Sequence, residues 1–241
     1  MRTAFLLGLC AALFAAAAPA ETLLIQSGQD SSPYAFLPGL PRGFHSSAYA
    51  FTMDDDGSDH SFEYYIQWNL PPALFEEGVE VEQALAWVYY GFDYVLFGDF
   101  SNEVGELLCH EVLGSWSESS LTWNTRPPID NYFDATFDVL NRGLYWCDVT
   151  DLVKQWIADP STNHGIALTS SLQRVMGFYT FDDGTVSPNF KPSLMVEVNT
   201  VPEPAAAAGL AAGCLLLVKL DRRRARRRLT RTASAAKGED R

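Results

Sequence analysis

The sequence predicts an all-β fold, a jelly-roll-like β-sandwich with one short helix, flanked by an N-terminal signal peptide and a C-terminal transmembrane helix. Three observations predict it. Residues 21–200 hold many short apolar blocks of period-two spacing, punctuated by Gly, Pro, Asn and Asp. One stretch alone, Asp148 to Ile157, has helical spacing instead. Long uncharged apolar runs stand at the two ends of the chain.

Taken in order, residues 1–20 begin with Met1-Arg2, continue as an apolar run from Ala4 to Ala18, and close on Ala18-Pro19-Ala20. A basic start, a short apolar stretch and small residues before Glu21 make a secretory signal peptide. The run is too short to span a bilayer as a retained helix. The clearest strand is Phe62 to Leu70, where Phe62, Tyr64, Ile66, Trp68 and Leu70 share one face as a half-buried strand requires. Further strands are expected at 22–27, 47–53, 84–92, 107–113, 165–170, 175–181 and 193–198, separated by Pro38-Gly39, Asp56-Gly57, Pro71-Pro72, Asp183-Gly184 and Ser187-Pro188-Asn189. In the helical stretch, residues 152, 153, 156 and 157 form the apolar stripe. Asp148 or Thr150 caps its start, and Asp159-Pro160 ends it.

Charge and cysteine usage narrow the function. Six basic residues stand against 26 acidic ones within 21–200, a net of −20 inside a chain whose total is −13. So acidic a body repels phosphate backbones, which excludes nucleic acid as a partner. Cys109 and Cys147 are the two cysteines of the body, and in an exported domain they are expected to form a disulfide. Closing that loop would contribute about 4 kcal/mol on the chain-entropy model. The alternative is two buried thiols that never meet. No CxxC or HxxxH spacing accompanies them to suggest zinc.

The body then becomes recognisable. The segments GSWSESSLTWNTRPP (114–128), DVTDLVKQWIADPSTNHGIAL (148–168) and FKPSLMVEV (190–198) resemble the DNRLRE domain family. The matching residues are Trp116, Thr122-Trp123-Asn124, Arg126-Pro127, Asp148-Val149-Thr150, Trp156, Asn163, Gly165, Pro192 and Leu194, and residues 64–90 stand where that family carries a strand pair. The order and spacing cover roughly 60–200, and the pattern departs near the start, where 28–60 carries an acidic loop. The resemblance implies a jelly roll similar to carbohydrate-binding modules, with polysaccharide as the expected ligand.

The residues themselves have plainer roles beside that implication. Trp116, Trp123 and Trp156 suit the core, Arg126 an ion pair with Asp148 or Asp151, and Asn124 and Asn163 turns closed by side chain–backbone bonds. A sugar site needs aromatic faces beside polar groups. Tyr90 and Tyr94 in the run 89–94, and Tyr132 in 131–133, are candidates, with ordinary core and rim as the competing reading. Asp54, Asp56 and Asp59 surround a Gly turn and suit a hard cation such as Ca²⁺; a solvated acidic hairpin is the alternative. No other cofactor is expected. Catalysis finds little support, because GxSxG and HExxH are absent and His45, His60, His110 and His164 are scattered without ligand spacing. Among 26 acids, carboxylate pairs arise by chance and do not argue for a glycosidase.

Beyond the body, residues 205–218 give 14 uncharged positions before Lys219. As a helix they reach about 21 Å, against a hydrocarbon core of about 30 Å, so they make a marginal span. The order Val201-Pro202-Glu203-Pro204, apolar segment, then arginines at 222–228, led by Arg222, Arg223 and Arg224, resembles the PEP-CTERM sorting signal. That resemblance implies an exosortase as a partner that reads the tail. It also implies transient anchoring and delivery to the envelope or matrix of a Gram-negative bacterium; the 13 residues at 229–241 depart from the pattern as a longer extension, expected to be a disordered basic tail. A plain C-terminal anchor is the alternative. The expected protein is thus exported, non-catalytic and surface- or matrix-associated, with polysaccharide as its ligand. Its rivals are a structural or adhesive protein without a glycan ligand, and a glycan-active hydrolase or lyase.

Overall fold

A computed structural model describes residues 20–43, 45–50, 54–55, 58–59, 61–94, 105–130, 134–139, 142–170 and 175–200, together with Lys219. The chain divides into two units, and the described residues belong to Ala20–Asn199 except Thr200 and Lys219, which fall in the other. The signal peptide, Val201–Pro204 and Arg222–Arg224 lie outside the described residues. No described helix is long and apolar enough to cross a membrane.

Among the described residues of the body there are twelve strands and one α-helix. The strands are β1 (Glu21–Ser31), β2 (Ser47–Ala50), β3 (Asp54–Asp55), β4 (Ser58–Asp59), β5 (Tyr64–Trp68), β6 (Val79–Tyr94), β7 (Gly105–Glu111), β8 (Asp134–Val139), β9 (Gly143–Asp148), β10 (Ile166–Ser170), β11 (Val175–Tyr179) and β12 (Ser193–Thr200). The helix α1 spans Thr150–Ala158. One sheet runs β2-β11-β6-β12-β1 with β9 also on β6; the second runs β1-β5-β10-β7-β8. Strand β1 serves both, because Glu21–Gln26 pair antiparallel with β12 and Ser27–Ser31 with β5. The transfer happens at a register shift between Ser27 and Gln29. Gly28 occupies it, where an added Cβ would stand 2.3 Å from Asn69 Nδ2.

Alternation then fills the space between the sheets, as expected of a sandwich. Tyr64, Ile66, Trp68, Leu107, Cys109, Ile166 and Leu168 point inward from the second sheet. Ala48, Ala50, Ala84, Ala86, Val88, Tyr90, Cys147, Met176, Phe178, Leu194 and Val196 meet them from the first. Helix α1 packs Leu152, Val153 and the fully buried Trp156 into the same core. Its start departs slightly from expectation. Val149 holds the cap position without a side-chain bond, while Asp148 Oδ1 accepts from the Thr150 amide at 3.0 Å. Thr150 Oγ1 in turn accepts from the Ala84 amide at 2.9 Å and ties the helix to β6.

Strand β5 is buried on both faces rather than half-buried. Tyr65 points away from the main core yet is fully buried, under Val112, Leu121, Trp116 and Ile129 of the segment 112–129. Trp116 donates from Nε1 to the His164 carbonyl at 2.9 Å and meets Tyr65 edge-on at 5.8 Å between centroids. Phe62, expected in line with Tyr64, instead stacks on Tyr34 at 4.1 Å in a separate cluster. Arg126 does not reach Asp148 or Asp151. Its Nε donates to Glu63 Oε2 at 3.0 Å, and its guanidinium lies 3.6 Å over the Trp123 ring. The sequence places Arg126 on the covering segment beside β5, and helix α1 lies elsewhere in the fold.

The expected disulfide is absent: Cys109 and Cys147 are both buried and are not bonded to each other. Cys109 stands on β7 of the second sheet and Cys147 on β9 of the first. Packed sheets lie about 10 Å apart, whereas a disulfide needs Cα atoms within about 7 Å. Two inward cysteines on facing sheets therefore remain small apolar packing groups.

Candidate functional site

The outward face of the first sheet carries aromatic side chains where a solvated sheet would carry polar ones. In β6 the inward set Ala84, Ala86, Val88 and Tyr90 leaves Leu85, Trp87, Tyr89 and Gly91 facing out. In β9 the inward Cys147 leaves Leu144, Trp146 and Asp148 outward. Direct register brings Trp87 opposite Trp146, Tyr89 opposite Leu144, and Leu85 opposite Asp148. The two tryptophan rings lie 6.0 Å apart, and Trp146 is 48% exposed.

The strip continues across the sheet. Tyr89 stacks with Tyr179 of β11 at 5.8 Å and 18°. Phe190, 37% exposed, joins Tyr89 at 4.5 Å. Gly91 is required beneath it, since a Cβ there would stand 2.6 Å from the Tyr179 ring. From Tyr89 to Leu85 the strand advances about 13 Å. Beyond Leu85 and Asp148 lies an open groove lined by Glu82, Gln83, Asp148, Thr150 and Asp151. Trp146 and Phe190 are exposed and Trp87, Tyr89 and Tyr179 half-buried between them; flanked by carboxylates and amides, they present apolar ring surface for sugar C–H groups and acceptors for hydroxyls.

Phe190 is held by the turn-rich segment between β11 and β12. Asp183 Oδ1 accepts from the Thr185 amide at 2.8 Å and from its hydroxyl at 2.6 Å. Burial alone would raise the Asp183 carboxyl, but these bonds and the charge of Lys191 outweigh it and hold it low. Lys191 Nζ donates to the Phe181 carbonyl at 2.6 Å. Asp30, almost fully buried at the end of β1, accepts from the Phe181 amide at 2.7 Å and the Tyr64 hydroxyl at 3.1 Å, both on Oδ2. Burial pushes this carboxyl up to about 7 against the lowering effect of those bonds, and the charges of Glu118 and Asp182 add to the rise.

The residues singled out from sequence fare differently. Tyr90 belongs to the core and is fully buried, so it offers no face to a ligand; its neighbour Tyr89 has the outward parity. Tyr94 ends β6 with its side chain outside the described residues, as is all of Tyr132. Asp54 and Asp59 pair across the β3–β4 hairpin, Asp56 lies outside the described residues, and Asp59 Oδ1 accepts from the Ser61 amide at 2.9 Å. The described residues hold no group of three or more His, Cys, Asp or Glu arranged for a metal. Trp87, Trp146, Tyr179 and Phe190 were not anticipated. Within the sequence, the signal for the first two is a strand apolar on both parities: ALAWVYYGF at 84–92 and GLYWCD at 143–148.

The model of carbohydrate-binding module family 96 matches residues 46–198, from the start of β2 nearly to the end of β12. No curated protein matches the chain. The matched span holds more than half of the 241 residues and nearly all of the sandwich, including every ring of the aromatic strip; the chain belongs to carbohydrate-binding module family 96.

Proposed function

We propose that this protein is an exported, non-catalytic component of the cell surface or extracellular matrix of a Gram-negative bacterium, and that it binds polysaccharide on the aromatic strip of its first sheet. The observation that carries the reading is the row of rings, Trp146, Trp87, Tyr89, Tyr179 and Phe190, set outward on a sandwich of a carbohydrate-binding family. Monomeric proteins seldom leave so continuous an apolar strip uncovered without a binding role. The C-terminal segment, with Val201-Pro202-Glu203-Pro204, its apolar run and the arginines from Arg222, is proposed as an exosortase sorting signal that anchors the protein until it is cleaved. Export through the signal peptide at 1–20 precedes that step. A glycan array probed with the full-length protein tests the binding role. Signal on one class of polysaccharide is expected. A blank array, with the protein folded, would favour a purely structural or adhesive matrix protein.

A further inference from the structure

We propose that Asp30 is a proton-operated clamp on one end of the aromatic strip, gathering Tyr179 and Phe190 when its carboxyl is neutral and loosening them when it is ionised; the proposal rests on the strip being the glycan site. Asp30 is 1% exposed, yet among the described residues no cation is bonded to it. Its Oδ2 meets two neutral groups, the Phe181 amide at 2.7 Å and the Tyr64 hydroxyl at 3.1 Å. A buried carboxylate without a cation is costly, so the group is driven toward its neutral form. The Tyr64 hydroxyl also reaches the Tyr179 carbonyl, at 3.4 Å. Asp30 and Tyr64 therefore hold the chain on both sides of Thr180. Tyr179 is itself a ring of the strip. Lys191, the residue after Phe190, donates from its ammonium to the Phe181 carbonyl at 2.6 Å. That bond closes the segment 181–191 into a loop, so a shift at Phe181 is transmitted to Phe190.

The proton count gives the clamp two states. Tyr64 has one hydrogen to donate. With Asp30 protonated, its O–H donates to the Tyr64 oxygen, and Tyr64 gives its hydrogen to the Tyr179 carbonyl. With Asp30 ionised, Tyr64 turns its hydrogen to the carboxylate and withdraws it from Tyr179. The surrounding groups act in the same sense. Burial raises the Asp30 carboxyl to about 7, and the charges of Glu118 and Asp182 add to the rise. Glu118 is held close, since its Oε1 accepts from the Asp30 amide at 3.3 Å. Burial and the Asp30 charge keep the Tyr64 hydroxyl well above the ordinary tyrosine range, so it stays protonated throughout. Asp183 is tied to Thr185, and Lys191 to Phe181. His45, whose carbonyl accepts from Thr180 Oγ1, is pulled below the ordinary histidine range by burial and by the charge of Arg42. It has lost its charge before Asp30 ionises.

Titration calorimetry of the full-length protein at about pH 6 and about pH 8 tests the clamp, with cellohexaose, mannohexaose, hexagalacturonate and hexamannuronate as probes. Hydrogen exchange of the amides of 179–191 is followed beside it and corrected for intrinsic rates. Any hexamer bound at the lower pH is expected to weaken at least ~3-fold at the higher, while 179–191 lose protection. In Asp30→Asn, which keeps an acceptor and carries no charge, affinity and protection should be the same at both pH values. In Glu118→Gln the transition should move to lower pH, a check that stands even where Asp30→Asn does not fold. Wild-type binding that is unchanged or tighter at the higher pH, or a weakening that persists in Asp30→Asn, would overturn the clamp. Binding of no hexamer at either pH would overturn the glycan reading instead. Exchange then still decides the clamp: equal protection at both pH values contradicts it, and protection lost at the higher pH supports it.

Discussion

Gly165 sits at φ +79°, where an added Cβ would stand 2.0 Å from the Ile66 carbonyl oxygen. No flexible side chain is available to yield there, because the obstacle is the backbone of β5. Gly165→Ala combines a left-handed backbone with a clash and is expected to destabilise by more than about 2 kcal/mol, read as a lowered denaturant midpoint at unchanged slope. Asp30 makes a different residue-scale prediction. Its carboxyl titrates near 7 in the fold and near 3.8 when unfolded. Between those values the folded protein holds a proton that the unfolded chain has released, so stability falls as pH rises from about 4 to about 7. The full swing is at most about 4 kcal/mol. Asp30→Asn should flatten the profile across that window; an unchanged slope would show that Asp30 is not the titrating group. Since Asp30 also holds the Phe181 amide, the same titration bears on the segment that carries Phe190.

At the scale of elements most long strands were legible, the centre of β6 at 84–92 among them, while β8 and β9 were not. β1, β5, β7, β10, β11 and β12 follow from alternation and turn residues, and α1 from its 152, 153, 156, 157 stripe. β9 escaped because Leu144 and Trp146 are apolar outward while Tyr145 and Cys147 are apolar on the other parity, which erases the period-two signal. The same erasure in β6 misdirects the choice between adjacent tyrosines. Tyr90 shares parity with Ala84, Ala86 and Val88 and is core, so Tyr89 is the one on the strip. What hides β9, and blurs which tyrosine of β6 faces out, is the feature that makes this face a candidate site: its outward side chains are aromatic instead of polar. Phe190 left no local trace at all, because its place beside Tyr89 is set by the long-range pairing of β6 with β12. The motif residues around 114–128 are structural in consequence. Trp116 and Leu121 roof Tyr65, and Arg126 bridges Glu63 and Trp123. Trp116→Ala should therefore lower stability by about 2–4 kcal/mol, through lost packing and the orphaned His164 carbonyl, without altering glycan affinity in the protein that remains folded.

For the whole molecule, an acidic sandwich with an aromatic face belongs outside the cell only if its ends act as proposed. Mass spectrometry of the mature protein checks this. A start near Glu21 and an end near the Val201–Pro204 segment are expected, and a chain running intact to Arg241 would refute processing. The binding role has a more direct test. Trp146 is half-exposed, paired with Trp87 and absent from the buried core, so Trp146→Ala removes a ligand surface and little packing. Its affinity for the polysaccharide that the wild-type protein recognises, measured by calorimetry beside its melting temperature, is the deciding quantity. A loss of about 2 kcal/mol, roughly 30-fold in Kd, with melting shifted by no more than a few degrees, is the predicted result. Wild-type affinity in the folded Trp146→Ala protein would contradict the account and move the glycan site off this face.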